Sequence, residues 1–170
     1  MTTAHLIHGF IGSGKTTFAK ALAESESSCI RFTHDEWMHR LYGVSPPPEK
    51  FDELFQRIDT LIWDTALELL SKGCPVILDS GFWTTASRTT AREQLAREGH
   101  ESVFYDIQCD LLTMRNRTIA RSQSPPPDSL WIDANAFETL YHQFEPMSST
   151  EAKLDINGKA DPIIELSRRR

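Results

Sequence analysis

The residues best suited to chemistry stand in one unbroken stretch, Gly9-Phe10-Ile11-Gly12-Ser13-Gly14-Lys15-Thr16, which matches G-x-x-x-x-G-K-[ST] in full. Each residue type there has a physical reason. Gly9, Gly12 and Gly14 let backbone N–H groups curl around phosphate oxygens with no Cβ in the way. Ser13 and Thr17 complete the candidate nucleotide-binding set. A helix starting at Lys15 would aim its positive end at the same anion. The Lys15 ammonium would reach the β- and γ-phosphates, and the Thr16 hydroxyl would bind Mg²⁺. A coincidental glycine turn is the plain alternative, but average composition produces this pattern only on the order of once in a few hundred such chains. A dinucleotide site is excluded. It wants G-x-G-x-x-G, and glycines at 9, 12 and 14 are spaced otherwise. The expected ligands are ATP and Mg²⁺.

Three further groups carry charge at suggestive places. Asp79 ends the apolar run Pro75–Asp79 and so belongs at the carboxyl edge of a sheet, where ligands bind in open α/β folds. An unpaired buried carboxylate is costly, so packing alone does not explain it. Its expected role is to hold a Mg²⁺-bound water beside Thr16, with contact to metal or to acceptor left open. Arg117 and Arg121 are four apart and share one helical face, and Arg115 is nearby. A solvated face with ion pairs is the alternative there. Asp35 follows a short strand, although Thr33-His34-Asp35-Glu36 also reads as an S/T-x-x-E capping sequence.

The elements that must position these groups alternate along the chain. Strands are expected over Ala4–His8, Cys29–Thr33, Pro75–Asp79, Val103–Ile107 and Lys153–Ile156. Helices are expected over Lys15–Glu26, Trp37–Tyr42, Glu49–Lys72, Ala86–Glu98, Asp110–Arg121, Ala134–Phe144 and Pro162–Arg169. The long helix shows Phe51, Leu54, Phe55, Ile58, Leu61, Ile62 and Leu69 at amphipathic spacing. This alternation implies an α/β fold with a parallel sheet and helices on both faces, as one domain over residues 1–170. The loop Ser122–Asp128, stiffened by Pro125-Pro126-Pro127, would hinge a lid over about 115–135.

Bulk composition fits a globular chain, with 39% hydrophobic and 25% charged residues. The formal net charge of −6 argues against a polyanionic partner, so nucleic acid is disfavoured though not excluded. No apolar stretch reaches membrane-spanning length, and no export signal is visible, which points to the cytoplasm. Cys29, Cys74 and Cys109 sit in apolar, strand-like runs and read as buried thiols rather than disulfide partners or metal ligands. The six histidines show no metal-ligand spacing, and Arg168-Arg169-Arg170 reads as a solvated helix end.

Beyond the phosphate loop, several motifs resemble the small P-loop kinases. These include nucleoside monophosphate kinases, zeta-toxin kinases, chloramphenicol phosphotransferase and the kinase domain of phage polynucleotide kinase. A branch of predicted kinases is similar at Thr33-His34-Asp35-Glu36-Trp37-Met38, at Ile77-Leu78-Asp79-Ser80-Gly81-Phe82-Trp83 with Arg88, at Arg117 and Arg121, and at Phe144-Glu145-Pro146 with Glu151. The resemblance spans Leu6 to about Glu151. It implies a three-layer P-loop NTPase fold with a five-stranded parallel core, and transfer from ATP to a hydroxyl. It further implies that Asp35 orients or deprotonates the acceptor and that Arg117 and Arg121 neutralise the transferring phosphate. The polynucleotide-kinase register would favour Arg115 instead. Trp37, Phe82 and Trp83 would lie beside a small-molecule acceptor, and Arg88 would anchor an acidic group on it. Polynucleotide kinases carry an arginine at the third position after the acid; here it is Met38. A 5′-hydroxyl oligonucleotide kinase and an ATP-binding regulatory or toxin-like protein with little turnover stand as alternatives. Gly158-Lys159-Ala160 is expected to pack on the base.

Overall fold

The structure is a computed structural model that describes residues 1–43, 47–123 and 131–167, with side chains through Glu165. Five strands form one sheet: β1 (Thr3–His8), β2 (Ile30–Thr33), β3 (Val76–Gly81), β4 (Glu101–Gln108) and β5 (Leu154–Asn157). All pairings are parallel, in the order β2-β3-β1-β4-β5. The helices are α1 (Lys15–Ser25), α2 (His34–Tyr42), α3 (Phe51–Ser71), α4 (Thr85–Arg97), α5 (Leu111–Ser122), α6 (Ala134–Tyr141) and α7 (Pro162–Ser167). This is the expected α/β architecture. β1 is central, and the chain leaves it first toward β3 and β2, then toward β4 and β5. The loop after β1 therefore lies at a topological switch point on the carboxyl edge.

Strand residues alternate between two cores, as a pleated backbone requires. Leu6, Leu78 and Phe104 face one side, where α3 buries Leu54, Ile58, Ile62, Ala66 and Leu70 and α4 adds Ala91 and Leu95. Ile7, Ile77 and Tyr105 face the other, against Phe18, Ala19 and Leu22 of α1. A third cluster sits beyond the sheet edge, where Phe10 of the phosphate loop packs on Met114 and Phe137. Phe10 meets the rings of Phe137 and Tyr141 edge-on, each at 5.1 Å. That cluster ties the loop to α5 and α6.

Most boundaries fall within two residues of the sequence reading, and two helix ends, those of α2 and α6, move by three residues for clear reasons. α2 starts at His34, three residues early, because Thr33 is its N-cap in extended conformation. The capping box is not made: Glu36 is taken by Arg31 at 2.9 Å and Arg40 at 2.7 Å. α6 stops at Tyr141, and the next two turns close with Gln143 and Phe144 N–H donating to Leu140 and Tyr141. The triple-proline hinge and the terminal arginines lie outside the described residues. Cys29, Cys74 and Cys109 are free thiols, but half-buried and not buried as expected, because each lies at or beyond a strand end. Among the described residues no helix is long and apolar enough to cross a membrane.

Candidate active site

The phosphate loop needs its glycines for two separate reasons. Gly9, Gly12 and Gly14 all have positive φ, at 149°, 79° and 108°. Gly12 also touches α5: a Cβ there would stand 2.3 Å from the Met114 carbonyl and 2.8 Å from Thr118 Oγ1. A Gly12→Ala protein should lose about 1–3 kcal/mol from the backbone conformation alone, plus the cost of displacing α5. Urea unfolding measures the loss, and a stability within error of wild type would refute the close approach.

The helix that follows is left open at its positive end. α4, α5 and α6 are each capped by a side chain, from Thr84, Asp110 and Asp133. α1 has Gly14 as N-cap, no capping side chain and no acid in its first turn. That is the electrostatics of an anion site. Lys15 Nζ donates to the Phe10 carbonyl at 3.0 Å, so the aromatic cluster fixes where the ammonium sits. Burial pulls the Lys15 pKa below its ordinary value, opposed by the charges of Asp79 and Asp35 and reinforced by Arg121.

Asp79 is buried within the carboxyl half of β3, which runs on to Gly81 and does not end at the acid, and it is hydrogen-bonded by the Thr16 hydroxyl. Burial raises its pKa, against the pull of Lys15, Thr16 and Arg31, whose Nη1 is 3.4 Å away. An adjacent hydroxyl and carboxylate suit Mg²⁺, which prefers oxygen ligands and takes one or two from protein and the rest from phosphate and water. The donor set fits.

These groups border one cavity of about 770 Å³. Gly12, Gly14, Lys15, Thr16 and Thr17 form its floor, and Asp35, Asp79, Arg117 and Arg121 stand around it. Asp35 is exposed in the first turn of α2, not capping it. Arg117 donates to the carbonyls of Gly158 at 2.9 Å and Gly12 at 3.3 Å, bolting the loop to the turn after β5. Arg121 is half-buried and faces Lys15. Arg115 pairs instead with Glu138 on α6, away from the cavity wall. Gly158, Lys159 and Ala160 line the cavity with Ile107 and Ile156, and Gly158 lies directly against the phosphate loop at Ser13 and Gly14.

Of the four aromatic and basic residues expected beside an acceptor, only Trp83 lines the cavity. Trp37 packs into the α3 core beside Phe32, with ring centroids 6.1 Å apart. Phe82 is buried edge-on against Phe104. Arg88 is fully buried and binds Glu151, so it anchors no ligand. The wall is completed by residues that sequence reasoning missed: His34, Phe51, Asp52, Phe55 and Ser80. His34 precedes Asp35 and Ser80 follows Asp79, so adjacency to an edge acid was the available signal.

The AAA_33 profile, described as an AAA domain, matches residues 5–147. The chain belongs to the AAA_33 family of AAA domains. No protein of curated function matches it significantly. This AAA_33 chain is similar in fold to a provisionally named kinase from Chloroflexus aurantiacus, with TM-score 0.75 and 16% identity over 99% of this chain and 97% of that one. It is similar to Chaetomium thermophilum Kti12 in complex with ADP-AlF3, with TM-score 0.70 and 14% identity over 98% and 96%. It also resembles a sugar kinase from Janibacter, with TM-score 0.64 and 16% identity over 99% and 92%. The AAA_33 chain thus has the fold of small P-loop kinases.

Proposed function

We propose that this protein is an ATP-dependent kinase that moves the γ-phosphate of ATP to a hydroxyl of a small molecule. One observation carries the reading. Lys15 and Thr16, at the open end of α1, share a single cavity with two carboxylates, Asp35 and Asp79, and with Arg121. Phosphoryl transfer asks the protein for little covalent chemistry, only positioning and charge stabilisation. Lys15 and Arg121 neutralise the phosphate, and Arg117 keeps the loop in place. Asp35 orients the acceptor hydroxyl and takes its proton as the oxygen–phosphorus bond forms and the bond to the β-phosphate oxygen breaks, releasing ADP. Mg²⁺ entering with ATP would be held by Thr16 and Asp79 and would offset charge on the β- and γ-oxygens. Gly158-Lys159-Ala160 flanks the base.

The test is ATP consumption with Mg²⁺ across polyols, aminosugars, nucleosides, phenicols and 5′-hydroxyl oligonucleotides. One acceptor class should stimulate turnover. Asp35→Ala should lower kcat by roughly 100- to 10,000-fold while its ATP Kd stays near wild type. Full turnover by Asp35→Ala would sink the assigned proton acceptor, and ATP binding with no stimulation by any acceptor would sink the kinase reading.

A further inference from the structure

Asp35 stands exposed in the first turn of α2, and no hydrogen bond holds its carboxylate among the described residues. A proton acceptor must nonetheless be placed well, because a displacement of about 1 Å can cost on the order of a hundredfold in rate. Its two chain neighbours supply the placement, since both are tied to β3. On one side His34 Nδ1 and Ser80 Oγ lie 2.9 Å apart, and His34 Nε2 is 2.7 Å from Asp59 Oδ1. The tie to Ser80 holds in any protonation state of the ring, because a hydroxyl can donate or accept. On the other side Glu36 accepts from Arg31 Nη2 at 2.9 Å, and Arg31 Nη1 donates to Asp79 at 3.4 Å.

Register explains why Arg31 reaches both acids. β2 and β3 are parallel with Thr33 opposite Asp79, so Arg31, two residues back, shares a face with Asp79. β2 then passes straight into α2 at Thr33, with no loop to absorb movement. The guanidinium fork gives one nitrogen to each carboxylate. The Arg31 side chain is 14% exposed and that of Asp79 1%, so solvent screens the bridge little. Arg31 lines no part of the cavity, so it meets neither phosphate nor acceptor.

Resting on the kinase reading, we propose that Arg31 and Glu36 are positioning residues that fix the proton acceptor Asp35 against the metal-site carboxylate Asp79. Arg31 is the link between strand and helix, and Glu36 transmits it to the turn that carries Asp35. Cutting the link at Glu36 should therefore misplace Asp35 and leave the phosphate loop untouched.

The experiment compares single-turnover phosphoryl transfer and ATP Kd in wild type, Glu36→Ala, Arg31→Met and their combinations. Glu36→Ala should lower the transfer rate about ten- to a hundredfold, the usual cost of losing a partner that orients a site residue. Its ATP Kd in EDTA should stay at the wild-type value. In the Asp35→Ala background Glu36→Ala should cost nothing more, whereas damage to the fold would persist there. Arg31→Met should lose at least as much as Glu36→Ala, and adding Glu36→Ala to it should cost nothing more. Glu36→Ala, at a helix position where alanine is favoured, carries the test by itself should Arg31→Met not fold. Wild-type transfer by Glu36→Ala, or an equal loss with and without Asp35, overturns this proposal and leaves the kinase reading standing. ATP binding with no transfer to any acceptor by wild type overturns both.

Discussion

A Lys15→Met protein should lose phosphoryl transfer by roughly 1,000- to 100,000-fold, the range set by removing a cation that meets the transferring phosphate. Lys15 is held where its charge is expensive. Burial drives its pKa down, and Arg121 adds repulsion. Its fixed partner is a carbonyl 3.0 Å away, while Asp79 and Asp35 only partly offset the cost. Such a group is preorganised for a polyanion and needs no rearrangement when the anion arrives. Lys15→Arg should not rescue, because a planar guanidinium has neither the shape nor the point charge of an ammonium. The binding readout is thermodynamic. Wild-type protein at an ATP concentration one hundred times its Kd should gain about 2.7 kcal/mol of stability. Lys15→Met at the same concentration should gain little of it. A variant that kept the whole ATP-induced stabilisation would show that the phosphates lie elsewhere.

The phosphate loop was legible because its chemistry demands neighbouring residues, Gly9 through Thr16, in one fixed pattern. The β-α alternation and both cores followed from apolar period, since Leu6 and Ile7 must point to opposite faces of any strand. Asp79 could be read because a carboxylate at the end of an apolar run is costly to bury unless a cation or a metal meets it. The cavity wall around Ser80 and His34 could not be read in the same way. Ser80, His34 and Asp59 come from β3, α2 and α3 and are brought together only by packing, so no local spacing marks them. Trp37 and Phe82 looked like ligand contacts from their nearness to Asp35 and Asp79. They point into the core instead, because neighbours on a helix or strand diverge in direction. Arg88 was misjudged for the plainest physical reason. A helical arginine is normally solvated, and its burial depends on a carboxylate 63 residues downstream.

That buried pair carries the largest expected effect on stability. Glu151→Ala should cost about 3–5 kcal/mol, since removing one partner leaves the other charge buried and uncompensated. Arg88 is fully buried, and Glu151 meets it in a bidentate pair, at 2.7 Å from Nε and 2.9 Å from Nη2. Nη1 donates to the carbonyls of Phe82 at 3.1 Å and Glu145 at 3.0 Å. The same Phe82 carbonyl accepts from His8 Nδ1, and Phe82 itself has a left-handed φ of 47°. Arg88 therefore restrains a strained residue next to Trp83, so its loss should loosen the cavity wall as well as the fold. The double substitution Arg88→Met with Glu151→Met should cost less than Glu151→Ala alone, because no charge is then left unpaired. Acid gives an independent reading. The bond from Arg88 holds the Glu151 pKa down from an ordinary 4.5 to about 2. A carboxyl with a depressed folded pKa contributes stability above its unfolded value and loses it as pH falls through the folded one. Urea midpoints should thus drop between about pH 4.5 and pH 2 in wild type, and Glu151→Gln should flatten that part of the curve. If Glu151→Ala unfolds within 1 kcal/mol of wild type, or the Glu151→Gln curve keeps the same acid slope, the clamp is not what joins α4 to the chain around Glu151.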